Sequence, residues 1–241
     1  GAPVGILVDF GAALIVKMVN KILLTTAIAD ILFLATGAAQ LAFSLIVKNV
    51  MNEEPVEGMQ AARNLLYQRF PLQAGIINAI AIFVTFAATL PGLITPARAW
   101  LKLSGALITL CGLFTLCLGI FLWVLTLRTK EDFFPIWMTQ EPKVQDLMQT
   151  TFECCGYFNS TAPAFVTNPT CPSPAAAALM RGCSAPVASF ANIFIDDVFT
   201  AVFGMVGVDA LLILSIACLL KDRKERERYR HIDEKTGYTG I

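Results

Sequence analysis

The chain has 241 residues, 56% of them apolar and only 15% charged, with a net charge of zero. Soluble domains carry about a quarter charged residues, so this composition describes a membrane protein and excludes a global pull toward nucleic acid. Catalysis finds little support either: the single histidine, His231, stands in a charged tail, with no metal-ligand cluster, phosphate-binding glycine loop or nucleophile-base pair in view.

Val4 to Val16 is apolar but short and interrupted by Asp9, and Lys17, Asn20 and Lys21 separate it from the next apolar run. Residues 1–21 are therefore expected to form an interfacial or cytosolic lead-in helix. The basic residues come after the apolar run instead of preceding it, which argues against a cleavable signal peptide. A hydrocarbon core about 30 Å thick needs about 20 apolar residues as a helix. Residues 22–47, 72–94, 101–127 and 198–220 qualify, which predicts an all-α membrane protein built as a bundle of four transmembrane helices. They leave a small loop at 48–71, a short turn at 95–100, a large loop at 128–197 and a tail at 221–241. The tail runs through Lys221, Arg223, Lys224, Arg226, Arg228 and Arg230, and the region of the short turn holds Arg98 and Lys102. By the positive-inside rule both belong in the cytosol, so both termini are expected inside and the two larger loops outside.

Three spans carry polar or small residues at intervals of seven: Asp30, Gly37 and Ser44, then Asn78, Thr85 and Gly92, then Gly105, Gly112 and Gly119. That period keeps one seam toward a partner, so spans one to three are expected to associate closely. Asp30 lies roughly 12 Å inside one end of span one and Asp209 roughly 16 Å inside the matching end of span four. A carboxylate facing lipid is costly, so both should face the bundle interior. If spans one and four adjoin, the pair is placed to share a proton or to bind a polar lipid group. The alternative is that each meets a nearby hydroxyl or backbone group.

In the large loop, Val144, Leu147, Met148, Thr151 and Phe152 recur at helical spacing after Pro142, predicting a helix that delivers into Cys154-Cys155-Gly156 and ends at Gly156. Residues 159–174 have loop composition, and a short helix is expected over 175–180. Cys154, Cys155, Cys171 and Cys183 suffice for two disulfides in a domain too small to rely on core burial alone. Spacing leaves all three connectivities open. Asn159-Ser160-Thr161 is an N-glycosylation acceptor. Cys218, near the end of span four, is a palmitoylation candidate, whereas Cys111 and Cys117 lie deeper. The tail reads as a solvated helical extension with some affinity for anionic lipid, and Tyr238 to Ile241 matches a tyrosine-based sorting signal or an adaptor ligand through Thr239 and Ile241, both patterns short enough to arise by chance.

Four spans, one small and one large outer loop, the Cys154-Cys155-Gly156 triplet and Gly182-Cys183 before span four together resemble the tetraspanin family over nearly the whole chain. The triplet with two further loop cysteines is the specific part. The resemblance implies a small disulfide-stapled, mainly helical extracellular domain, with Cys154 paired to Cys183 and Cys155 to Cys171. It also implies an intramembrane cavity near Asp30, Asn78 and Asp209 for a sterol or other lipid, and no further cofactor. The expected role is a non-enzymatic scaffold for membrane proteins and lipids at the plasma membrane or endosomal or vacuolar membranes, including homo- or hetero-oligomers with other tetraspanins. Residues 155–161 and the tail are similar to those of tetraspanins of filamentous fungi. The span-three acidic or amide residue frequent in the family has no counterpart here, where Thr109 and Thr115 are the mid-span polar groups. That departure argues against a polar network across three helices. The rival from another class is a small lipid or proton-coupled transporter using Asp30 and Asp209, against which stands the lack of inverted repeats. A claudin-like junction protein carries its cysteine pair in the first outer loop, which here contains none.

Overall fold

Long apolar runs without breakers become long helices, because in lipid every backbone polar group must be bonded internally and a helix does so within one segment. The computed structural model describes residues 3–95, 97–159 and 165–236. Its regular elements are α1 (Pro3–Val50), α2 (Gly58–Tyr67), α3 (Leu72–Ile94), α4 (Arg98–Thr139), α5 (Pro142–Phe152), α6 (Pro174–Ala178) and α7 (Ser184–Thr236). Four of these helices, α1, α3, α4 and α7, are long and apolar enough to cross a membrane, which marks an integral multi-pass protein. The stapled helical segment lies between the third and fourth of them.

Several boundaries differ from the sequence reading. The lead-in helix and span one form one helix, since Lys17, Asn20 and Lys21 are all compatible with helix and neither proline nor glycine intervenes there. Helix α4 continues past Leu127 to Thr139, and α7 begins at Ser184, well before Val198. Much of the expected loop is therefore helix. The helix after Pro142 ends at Phe152, not at Gly156: Glu153 takes the left-handed cap at φ 48°, and Gly156 is left-handed beyond the cysteines at φ 66°. Helix α2 was not anticipated, although Ala61, Ala62, Leu65 and Leu66 mark one buried face.

The chain divides into two compact units. The first comprises Gly1–Gln40, Ile77–Thr115 and Gly204–Ile241; the second, Leu41–Ile76 and Leu116–Phe203. In the first unit small residues let helices approach. Gly37 of α1 faces Ile82 of α3, and Gly92 of α3 faces Leu101 and Ser104 of α4. Gly105 and Gly112 of α4 face Ile216 and Asp209 of α7, so these span-three glycines serve span four and not spans one and two. Ile28, Ile31, Leu32, Ile77, Ile80 and Val84 point outward, whereas Asp30, Gln40, Asn78 and Asp209 are buried.

The second unit has an ordinary apolar core. Leu65 and Leu66 of α2, Phe133 and Trp137 of α4, Met148 of α5 and Val187, Ala191 and Ile195 of α7 form one cluster with Cys154, Tyr157 and Cys183. Burying each large side chain contributes roughly 1.5–3 kcal/mol before ordering entropy is counted. Helix α2 packs on α5 where Gly58 meets Thr151 and the carbonyl of Leu147.

Candidate functional site

The stapled segment is built on α5. Met148 and Gln149 are fully buried at its end, and the left-handed Glu153 turns the chain so that Cys154 and Cys155 diverge. Of the three connectivities, the structure has Cys154 joined to Cys183 with Cα atoms 5.0 Å apart, and Cys155 joined to Cys171 at 5.9 Å. The backbone then runs beside the start of α7. Cys155 donates its N–H to the Arg181 carbonyl at 3.0 Å, and Cys183 and Ser184 donate to the carbonyls of Gly156 and Tyr157 at 3.0 and 2.9 Å. Gly182 fits there because any Cβ would collide with the Phe158 carbonyl.

Tyr157 locks this crossing. Its hydroxyl donates to the Lys130 carbonyl at 2.7 Å, and its ring lies 5.4 Å from Trp137 and 5.6 Å from Phe134. Burial pushes its hydroxyl well above the ordinary tyrosine pKa. Farther out, Asn168 organises the turn to Cys171: its side-chain oxygen accepts from Cys171 N–H at 2.6 Å, while its amide nitrogen donates to Asp146 of α5 at 2.6 Å. Gln149 accepts from Val166 N–H at 3.3 Å. Apart from these ties, Cys155, Cys171 and Ala177 form only a small cluster with Phe165 and Met180. Asn159 is exposed, and Ser160 and Thr161 of its acceptor triplet lie outside the described residues, as do Tyr238 to Ile241. Cys218 and Cys117 are exposed on their helices, and Cys111 is buried.

The first unit holds the second candidate, a string of polar side chains between helices. Asn78 of α3 donates to Gln40 of α1 at 3.0 Å and to the Thr115 hydroxyl of α4 at 2.9 Å. A network across three helices therefore exists despite the missing acid or amide in span three, because a threonine hydroxyl suffices as acceptor. Thr109 instead faces outward and bonds its own helix. Thr85 lies 3.3 Å from the Cys111 sulfur. The two carboxyls answer to different helices: Thr89 of α3 donates to Asp30 at 2.6 Å, and Asp209 sits against Gly112 and Thr115 of α4. No hydrogen bond joins the carboxyls among the described residues, and neither oxygen of Asp209 is in hydrogen-bonding geometry. Gln40 and Thr89 were missed from sequence, although a glutamine inside an apolar run is the same signal that singled out Asn78.

No known family pattern, curated protein or solved structure matches this chain.

Proposed function

We infer that this protein is a non-enzymatic membrane scaffold of the tetraspanin kind, gathering partner membrane proteins and lipids laterally and recognising partners through residues 157–182. The observation that carries this reading is the pair of disulfides anchored at adjacent Cys154 and Cys155, one in a large core and the other in a small outlying one. A segment held in this way keeps its shape with few constraints on its own sequence, which suits a surface selected for partners. Phe158 and Leu179, 48% and 90% exposed, offer it apolar contacts. Disulfides belong to oxidising compartments, and the basic residues Arg98, Lys102 and 221–230 favour the cytosol. Together these support a loop outside and both termini inside, at the plasma membrane or an endosomal or vacuolar membrane. Glycosylation at Asn159 and palmitoylation at Cys218 fit that orientation. Asp209, buried beside the Asn78 network with both oxygens unpartnered, suits the hydroxyl of a sterol or another lipid.

The test is crosslinking in mild detergent with residues 157–182 exchanged for an unrelated stapled segment. The scaffold reading expects the captured membrane partners to change; an unchanged set would reject it. The unpartnered Asp209 also favours a second reading, a small lipid or proton-coupled transporter. Transport in reconstituted vesicles that vanishes in Asp209→Asn would establish that reading, whereas sterol photolabelling lost in Asp30→Leu with Asp209→Leu, without any transport, supports the scaffold.

A further inference from the structure

Helix α7 continues without proline or glycine from Val208 to Thr236, and the part beyond Leu220 is held to the α3–α4 turn by one of its sides. Arg223 donates to the carbonyls of Thr95 at 2.8 Å and Leu93 at 3.3 Å, satisfying the end of α3, and Glu227 pairs with Arg98. Burial there lowers the Arg223 pKa, with Asp222 partly offsetting it.

Another side of the same helix carries a row of four basic residues. At 100° per residue, Lys221, Lys224, Arg228 and Lys235 fall within about 60° of one another, and they span about 21 Å along the axis. All four are exposed, and none makes an ion pair among the described residues. The acids Asp222, Glu225, Glu227 and Glu234 project outside that arc.

We propose that this stripe is a docking surface for an acidic segment of a partner protein. Charge complementarity fixes the sign of the partner, and the geometry favours protein over lipid. A spanning helix tilts by only about 20° on average, so its straight continuation leaves the headgroup layer. Lys221 can touch a bilayer surface, but Arg228 and Lys235 stand beyond it, and only a partner running along the helix meets all four.

The test uses the full chain in phosphatidylcholine nanodiscs and a fluorescein-labelled, glutamate-rich helical peptide, read by anisotropy. Binding is expected and should weaken steeply as salt rises. The quadruple variant Lys221→Glu, Lys224→Glu, Arg228→Glu and Lys235→Glu should bind at least about tenfold more weakly. It should also gain binding to a lysine-rich peptide of equal length, which a misfolded chain would not do. Absence of binding by the wild type, equal binding by the variant or no gain for the lysine peptide overturns the proposal. So does loss of peptide binding when phosphatidylserine is added to the disc, because the stripe would then belong to the bilayer.

Discussion

The two units differ in what they bury beside their apolar side chains. The first buries an apolar cluster around Phe33, Ile82, Ile108 and Leu212 together with a string of amides, hydroxyls and carboxyls; in the second, aromatic and aliphatic side chains fill the centre and two disulfides pin the covering segment. Part of the contrast follows from the surroundings of the spans, in which both units share. Where the outside is lipid, apolar burial gains little and small or polar residues decide how helices meet. Outside the spans the ordinary hydrophobic term operates, and a thin outlying segment needs a covalent tie.

Breaking the ties should separate the roles of the two disulfides. Replacing Cys154 and Cys183 by serine opens a bond inside the main core and should destabilise the second unit by about 2–5 kcal/mol. Replacing Cys155 and Cys171 should instead raise hydrogen exchange mainly over the described part of 157–182 and leave α5 protected, because only a small cluster depends on that bond. Next in size is Gly58→Val. Its side chain would press into Thr151 and the Leu147 carbonyl, costing about 1–3 kcal/mol by overpacking, with exposure of α2 as the readout.

Tyr157→Phe should cost about 1 kcal/mol by removing the donor to Lys130. It also has a pH signature. Because burial raises the pKa of the folded state, the unfolded chain ionises Tyr157 first, and wild-type stability should fall once pH rises above about 10. Chemical denaturation against pH should show a shallower alkaline slope in the variant, the remainder coming from Tyr67, which burial also raises. The smallest effect is expected at Thr115→Val, about 0.6 kcal/mol, since it removes one of the two bonds that Asn78 donates and a hydrogen bond between helices in lipid is worth little more. A loss several times larger, measured by unfolding in mixed micelles, would mean that the polar string carries the first unit.

The spans were legible because length and hydropathy suffice for a helix in lipid, and the inward seam was legible because Asp30, Gly37, Asn78, Thr85, Gly92 and Gly112 repeat by seven. Which helix each seam addresses was not, because that depends on tertiary packing: Gly112 turned out to face Asp209. Helix ends beyond the membrane were also missed. Residues 128–139 and 184–197 mix charged and aromatic residues, so hydropathy falls there while helix persists by packing Phe133, Trp137, Val187 and Ile195 into one core. The cap at Glu153 broke the expectation that a glycine ends the helix, since a non-glycine left-handed residue has no sequence signal of its own. Residue type marked the cysteines, but spacing alone left their pairing open.

The central claim is that this loop is an exported domain closed by sulfur bonds. Limited proteolysis of intact cells by an added protease, with electrophoresis of the products in the presence and absence of reductant, tests it most directly. A cut within 157–182 from outside, with fragments that stay joined until reductant is added, is the predicted result. Failure of the external protease to reach the loop, or fragments that part without reductant, would contradict it.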